Sequence, residues 1–299
     1  MKAAAIFLLV FLFGCLKPAG YETTMREGGS EYFTVVVLPD TQKYSKKYPD
    51  IFLNQTRWIK TQIKERNIVY VIHLGDLVDD ADSETQWNNA NKSMSLLDDA
   101  VAYGISPGNH DTPTTYYNKF FPAQRYESQS WFGGSYCGYD NSYNYFIGQD
   151  IKYIVLHLNV CPGREELVWA DEVLSRHKGF PAIISTHGYL NKNGERRVHV
   201  CGSTEEIWEK VIKPNDNVFL VLSGHAHAEA YRLDEVGGRA VHQILSDYQS
   251  RNRGGEGFLR IMTFNESGIH IKTYSPYLDE YERDSDSEYT IEWKPPASD

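Results

Sequence analysis

Five short apolar stretches of the sequence end in residues that can bind a metal ion. Segments with apolar residues at helical spacing, such as residues 50–65 and 164–177, separate most of them, and this alternation predicts an α/β fold. Ligands of open α/β sheets bind beyond the carboxyl ends of the strands. We therefore expect the five ends to meet at one edge of the fold. They are Asp40-Thr41-Gln42, Gly75-Asp76-Leu77-Val78-Asp79, Gly108-Asn109-His110-Asp111, Thr186-His187-Gly188 and Gly224-His225-Ala226-His227.

The pattern changes after Ala228, where three apolar stretches follow one another with short connections. This spacing predicts consecutive antiparallel strands that complete the α/β portion. From Asp279 the sequence is acidic and rich in serine, which indicates a loosely held tail. We predict one domain over residues 32–276 and a C-terminal tail over residues 277–299.

The N-terminus has the pattern of a targeting segment. A charged start and an apolar run over residues 3–13 precede Cys15, as in a secretory signal, and the run is short for a membrane span. The residues before Cys15 also resemble the lipobox of bacterial lipoproteins, in which Cys15 carries the lipid; a plain cleaved signal is the alternative. We predict a signal peptide over residues 1–15, a tether over residues 16–31, and export to the cell envelope with a lipid anchor as the contact with the membrane.

The charge balance bears on the partner. The chain has 40 acidic and 30 basic residues, a formal net charge of −10, and no block rich in Lys and Arg. A protein that binds long nucleic acids usually carries a basic face, so we expect no nucleic-acid polymer as a partner. A small anionic substrate stays compatible, because bound cations reverse the local field.

Three cysteines remain when Cys15 is set aside. Export permits a disulfide, and no C-x-x-C pair indicates a zinc knuckle. Cys161 follows a predicted strand and Cys201 lies in the loop after His187, so both loops leave the same end of the sheet. We predict a disulfide between Cys161 and Cys201, with Cys137 free.

The residue types at the strand ends suit a metal. Carboxylate, amide oxygen and imidazole are ligands of hard and borderline ions, and the lack of a thiolate disfavours a structural zinc site. In an extended backbone residues i and i+2 point to one side, about 6.5–7 Å apart, as in Asp40/Gln42 and His225/His227. That separation suits two ions roughly 3.5–4 Å apart that share a carboxylate.

The order D-x-Q, G-D-x-x-D, G-N-H-D, H, G-H-x-H over residues 40–227 resembles that of the calcineurin-like metallophosphoesterases. The resemblance implies a four-layer α/β/β/α sandwich of two mixed sheets, with a site for two ions of Mn, Zn or Fe at the strand ends. It also implies a role for each residue. The first ion would be bound by Asp40, Gln42 and His227, and the second by Asn109, His187 and His225. Asp76 would bridge the two ions, and His110 and Asn109 would lie beside the substrate phosphate.

One position departs from the family, which usually has histidine where this chain has Gln42. An amide oxygen binds more weakly than imidazole and suits harder ions such as Mn²⁺. We therefore expect the first site to favour harder ions. The alternative is that Gln42 only hydrogen-bonds a metal-bound water.

Four more residues near these motifs are candidates for supporting roles. We expect Asp111 to orient the imidazole of His110, since carboxylates commonly fix imidazoles. Arg251 or Arg253 is predicted to reach the substrate phosphate, or else to lie in a solvent-facing turn. His73 is expected to be a hydrogen-bonded strand residue and not a ligand.

Together these features predict an exported, dinuclear, metal-dependent phosphoesterase. It would hydrolyse phosphomonoesters or phosphodiesters of small molecules by attack of a metal-bridging hydroxide. Two alternatives stay open: a surface lipoprotein that binds a ligand on the same fold without turnover, and an exported protein in which the metal serves stability alone.

Overall fold

The computed structural model describes residues 30–198, 200 and 204–295. The predicted signal peptide with Cys15, nearly all of the predicted tether and Cys201 lie outside the described residues. The predictions made for them therefore stay predictions.

Strands and helices alternate through most of the described chain. The strands are β1 (Tyr32–Leu38), β2 (Ile68–His73), β3 (Ala102–Ile105), β4 (Phe132–Tyr136), β5 (Asn141–Gly148), β6 (Ile151–Leu158), β7 (Ala182–Thr186), β8 (Val218–Ser223), β9 (Glu229–Val236), β10 (Arg239–Ser246), β11 (Leu259–Asn265), β12 (Gly268–Ser275), β13 (Glu280–Tyr281) and β14 (Glu288–Ile291). The α-helices are α1 (Gln42–Lys47), α2 (Pro49–Gln62), α3 (Glu84–Met94), α4 (Thr115–Phe120), α5 (Arg164–Arg176) and α6 (Thr204–Ile207). Shorter helical turns lie at Asn109–Asp111, Ala123–Arg125, Trp208–Ile212 and Asn252–Gly254. Among these described elements, no helix combines the length and the apolar character that a membrane span requires.

Helix α2 shows how the sequence sets these elements. The helix begins at Pro49, where the missing N–H group is no loss because the first N–H groups of a helix have no partner within it. The negative charge of Asp50 in the first turn interacts favourably with the positive end of the helix dipole. Ile51, Phe52 and Ile59 are buried on one face, which is the spacing of an amphipathic helix. The sequence pattern thus located this helix to within a few residues.

The strands form two mixed sheets. In the first sheet the order is β13-β12-β11-β1-β2-β3, with β14 paired to β12, and β1, β2 and β3 are parallel. In the second sheet the order is β4-β5-β6-β7-β8-β10-β9, and β6, β7, β8 and β10 are parallel. Each sheet therefore presents a row of carboxyl strand ends at which polar residues can collect.

The sheets pack face to face, with helices on their outer faces. Their inner faces share one apolar core, in which the ring of Phe33 in β1 packs against that of Tyr153 in β6 with ring centroids 5.3 Å apart. A second core joins the first sheet to α2, α3 and α4, and a third joins the second sheet to α5 and α6. Burying each large apolar side chain contributes about 1.5–3 kcal/mol. The prediction of a four-layer α/β/β/α sandwich is confirmed.

The prediction of a loosely held tail after residue 276 is wrong. Strand β14 pairs with β12, Ile291 is buried in the core between the sheets, and the ring of Trp293 stacks on Phe219 of the second sheet at 4.3 Å. The reason is that Tyr289, Ile291 and Trp293 alternate with polar residues, the period of a half-buried strand. The acidic composition of the segment conceals this alternation.

Candidate metal centre

Polar residues from both sheets meet at the carboxyl ends of their strands. Asp76 follows β2, His187 follows β7 and His225 follows β8. One ligand atom from each of these three residues lies within 4.8 Å of the other two. The sequence-based expectation that separate strand ends converge is met for this group.

Asp76 stands at the centre of the cluster. Its Oδ1 accepts a hydrogen bond from the backbone N–H of His110 at 2.9 Å, and its Oδ2 accepts one from Nε2 of Gln42 at 2.8 Å. The same Oδ2 is 3.3 Å from Nε2 of His187. A buried carboxylate between residues of both predicted ligand sets suits the bridging role.

Asn109, His187 and His225 form a fixed group on one side of Asp76. Nδ1 of His187 donates a hydrogen bond to the carbonyl oxygen of Leu74 at 2.9 Å. This contact leaves Nε2 as the nitrogen that would bind a cation, once the cation has displaced the proton on Nε2. Nε2 lies 3.2 Å from Oδ1 of Asn109, and the ring of His225 is 5.1 Å from that of His187. The structure thus brings together the predicted ligands of the second ion. A backbone carbonyl that orients a ligating imidazole is a common support of metal sites.

Asp40 and His227 are linked through two further residues. Oδ2 of Asp40 accepts a hydrogen bond from Nε2 of Gln249 at 2.8 Å. The backbone N–H of His227 donates to Oδ2 of Asp247 at 2.9 Å. Asp247 and Gln249 lie just beyond β10, and reasoning from the sequence did not include them in the site. The D-x-Q pattern of residues 247–249, which repeats that of residues 40–42 at another strand end, is the signal that identifies them.

Gln42 provides a test of whether the residues fit a cation. It is 2% exposed at the start of α1, and its Oε1 has no hydrogen-bond partner within the described residues. A buried acceptor without a partner costs about 1–3 kcal/mol. A hard cation beside Oε1 would satisfy it. The donor set of carboxylates, amide oxygens and imidazoles therefore fits a metal site.

The backbone around the cluster adopts uncommon conformations. Asp76, His225 and His227 have φ values of +50°, +72° and +34°, in the left-handed region that costs non-glycine residues about 1–2 kcal/mol each. A Cβ at Gly108 would lie 2.1 Å from Oδ1 of Asp76, and one at Gly224 would lie 2.4 Å from Oδ1 of Asp40. Strained residues and close backbone approach concentrate at functional sites.

Buried charges perturb one another within the cluster. Burial and the charge of Asp247 raise the pKa of Asp40 well above its ordinary value. Burial opposes protonation of His187, but Asp76 and Asp40 raise its pKa to about 10. Burial and the neighbouring His187 lower the pKa of His225 to about 4. Excess negative charge here is balanced by protons, which a bound cation would displace.

His110 is oriented by the backbone and not by Asp111. Its Nδ1 lies 2.8 Å from the carbonyl oxygen of Asp79. The prediction that the Asp111 carboxylate fixes this imidazole is wrong, because both of its oxygens accept backbone N–H groups. The donors are those of Leu77, Val78 and Gly108. Asp111 therefore ties together the loops that carry Asp76 and His110.

The predicted phosphate-binding role of Arg251 or Arg253 stays a prediction, and both side chains make contacts within the protein. The guanidinium group of Arg251 is paired with Glu229 at 3.2 Å and with Glu282 at 2.6 Å, so its charge is neutralised locally. Arg253 is exposed and donates a hydrogen bond to the hydroxyl group of Tyr277. Of the two acidic partners of Arg251, Glu229 begins β9 and Glu282 belongs to the ordered C-terminal segment.

His73 is a structural residue, as predicted. Its Nδ1 accepts the backbone N–H of Gly75 at 3.1 Å, and its Nε2 lies 3.0 Å from the hydroxyl group of Thr41. Burial lowers the pKa of His73 to about 3. The neutral ring thus supports the segment between Asp40 and Gln42.

The cysteine prediction is tested only in part. Cys137 is exposed and has no disulfide partner among the described residues. Sγ of Cys161 lies 3.1 Å from the carbonyl oxygen of Val200, the residue that precedes Cys201. The bond between Cys161 and Cys201 stays a prediction.

Comparisons with known proteins agree with this geometry. The family model described as calcineurin-like phosphoesterase matches residues 33–249. The uncharacterized protein YvnB of Bacillus subtilis (strain 168) is 38% identical over 263 residues, which cover 83% of this chain and 20% of that protein. The chain thus spans about a fifth of the length of this relative.

Solved structures share the fold at low identity. A dimetal phosphatase from Danio rerio has a TM-score of 0.57 at 14% identity, over 88% of this chain and 99% of that one. A purple acid phosphatase from yellow lupin (Lupinus luteus) seeds has a TM-score of 0.54 at 15% identity, over 89% of this chain and 54% of that one.

Proposed function

The chain belongs to the calcineurin-like phosphoesterase family, and on that premise we propose that it hydrolyses phosphoric esters of small molecules with the help of two metal ions. The observation that carries the proposal is the position of the Asp76 carboxylate. It lies between the amide group of Gln42 and the imidazole of His187, with His225 within 4.8 Å. A bridging carboxylate in such a place is typical of two-metal phosphoesterase sites.

The residues of the cluster would hold the ions and fix their separation. Bound cations would supply Lewis acidity and lower the pKa of a water molecule in the site. The proposed ligands are Asp40, Gln42, Asp76, Asn109, His187, His225 and His227.

His110 and Asn109 would act on the substrate. The carbonyl of Asp79 holds Nδ1 of His110 at 2.8 Å, so Nε2 is the nitrogen that would deliver a proton to the leaving oxygen. Oδ1 of Asn109 faces His187 at 3.2 Å, which leaves the NH₂ group to donate to a phosphate oxygen. Such donors stabilise the charge that develops in the transition state.

A cavity beside His225 and His227 supports a small substrate. It has a volume of about 650 Å³, within the range of roughly 300–1,000 Å³ found for small-ligand pockets. Asn191, Lys192 and Arg197 line it from the loop after His187. Glu195 also lines the cavity, so the two cationic groups of Lys192 and Arg197 outnumber one carboxylate. This balance suits an anionic compound, and both monoesters and diesters are compatible with it.

Export and lipid anchoring are part of the proposal. They rest on the charged start, the apolar run over residues 3–13 and Cys15. Incorporation of labelled palmitate by the wild type, and its loss in Cys15→Ala, would support the anchor. Equal labelling of the two proteins would refute it.

The activity is tested with p-nitrophenyl phosphate and bis(p-nitrophenyl) phosphate, hydrolysed by the purified chain with added Mn²⁺ or Zn²⁺. We expect turnover that Asp76→Asn abolishes together with most of the bound metal. Asp98→Asn is the matched control, because Asp98 is ion-paired with Arg125 at 2.8 Å and is not one of the proposed ligands. Metal-loaded protein that binds phosphorylated compounds and hydrolyses none would favour the non-catalytic surface protein instead.

A further inference from the structure

The D-x-Q pattern occurs at two strand ends that belong to different sheets. Asp40-Thr41-Gln42 follows β1 of the first sheet, and Asp247-Tyr248-Gln249 follows β10 of the second. Nε2 of Gln249 donates to Oδ2 of Asp40 at 2.8 Å and to Oδ2 of Asp247 at 3.1 Å. One amide group thus joins the carboxylates of both sheets.

Asp247 in turn fixes the backbone of His227. Its Oδ2 accepts the N–H group of His227 at 2.9 Å, and its Oδ1 accepts that of Gln249 at 2.9 Å. The side chain of His227 is 56% exposed, and its φ of +34° is unfavourable without support. Because both oxygens of Asp247 accept N–H groups, this carboxylate holds the backbone of His227 and of Gln249 in place.

The two predicted ligand sets differ in how they are held. His187 of the second set is oriented by the carbonyl of Leu74 at 2.9 Å. Asp40 and His227 of the first set share Asp247 and Gln249, which are only 2% and 6% exposed. Burial of a carboxylate and an amide is unfavourable unless their hydrogen bonds are satisfied, and here those bonds are made to the proposed ligands.

We propose that Asp247 and Gln249 are positioning residues of the first cation site. They hold the Asp40 side chain and the His227 backbone in place relative to each other, and so would support the cation site in which Gln42 replaces the usual histidine. The inference rests on the proposed function only for the presence of two ions. Partners that orient metal ligands typically change metal affinity by about 10- to 100-fold when they are removed.

Gln249→Met tests the inference, since it removes both donated hydrogen bonds at nearly unchanged side-chain length. Gln55→Met is the matched control, because Gln55 is also buried and donates to the carbonyl oxygens of Gly257 and Phe258 at 3.0 and 3.1 Å. Mn²⁺ binding to the metal-free proteins is measured by equilibrium dialysis, and folding by urea denaturation. We expect the weaker of two binding steps to weaken by about 10- to 100-fold in Gln249→Met, with the tighter step unchanged and both steps unchanged in the control.

A second variant covers the case in which Gln249→Met does not fold. Asp247→Asn keeps one acceptor oxygen, and we expect a smaller loss in the same binding step. Equal weakening of both steps, no weakening in a folded variant, or failure of both variants to fold would overturn the positioning role. Selective weakening in a protein that hydrolyses neither chromogenic ester would uphold this inference and refute the proposed function.

Discussion

Replacing Gln42 tests the least usual part of the site. Its Nε2 donates to the carboxylate of Asp76 at 2.8 Å, while its buried Oε1 has no partner in the described part of the chain. Gln42→Met keeps the length of the side chain and removes both polar atoms. Gln42→His restores a ligand atom in the form of an imidazole nitrogen.

The expected loss of metal affinity in Gln42→Met is estimated from the hydrogen bond between Gln42 and Asp76. A hydrogen bond to a charged group contributes about 1.5–3 kcal/mol, and about 1.4 kcal/mol corresponds to tenfold in affinity. Gln42→Met should therefore weaken Mn²⁺ binding by about 10- to 100-fold. Imidazole is the stronger ligand for ions late in the first transition row, so Gln42→His should bind Zn²⁺ more tightly than the wild type and shift the preference from Mn²⁺ toward Zn²⁺.

Competitive titration with buffered Zn²⁺ and Mn²⁺, with bound metal determined by elemental analysis, measures both quantities. The comparison of the Met and His variants separates loss of the bond to Asp76 from gain of a ligand. If Gln42→His binds Zn²⁺ no more tightly than the wild type, Gln42 is not a direct ligand. Its amide would then hydrogen-bond a metal-bound water, as in the alternative interpretation.

Four further predictions concern other parts of the molecule. His110→Ala should lower kcat by about 10²- to 10⁴-fold with metal content unchanged by elemental analysis; lost metal would make His110 a ligand. Trp293→Ala should destabilise the chain by about 3 kcal/mol in urea denaturation, because its ring stacks between the sheets; an effect within error would restore the loose tail. Burial lowers the pKa of His157 to about 3, whereas its pKa in the unfolded chain is about 6.5. The free energy of unfolding should therefore have its full value above about pH 6.5 and fall as the pH decreases toward about 3, because the unfolded chain then binds a proton that the folded chain does not. His157→Gln should make this dependence shallower by about 1.4 kcal/mol per pH unit, and parallel curves would contradict it. Peptide mapping without reductant should find Cys161 joined to Cys201, and a bridge to Cys137 would refute that pairing.

The parts of the site that the sequence predicts are those that depend on strand ends. Apolar strands are recognisable from composition, and the residues that directly follow them are placed by the sheet itself, as for Asp76, His187 and His225. The contacts that orient these residues are harder to predict. His110 is oriented by the backbone carbonyl of Asp79. A contact to a backbone group cannot be predicted from the residue type, because every residue carries the same carbonyl.

The missed elements have a common cause, which is that long-range pairing overrides local composition. Strands β4 and β5 lie in a segment rich in Tyr, Gly and Asn. They are stabilised by the antiparallel pairing of β4 with β5 and of β5 with β6. Asp247 and Gln249 follow a predicted strand, but their role depends on the approach of Asp40 from the other sheet. Only the packing of the two sheets makes that approach visible.

The convergence of both sheets on Asp76 has a consequence for folding. Asp76 belongs to the first sheet and His187 and His225 to the second, so their meeting requires contacts that are distant along the chain and slow to form. An ion that needs all three residues therefore binds only after the sheets have docked, and cannot nucleate either sheet alone. Binding to the native state alone adds about 2.7 kcal/mol of stability at 100 times the Kd. We therefore expect the metal to bind late in folding and to stabilise the docked sheets. Its removal should speed the separation of the two sheets during unfolding, before the hydrogen bonds within either sheet are lost.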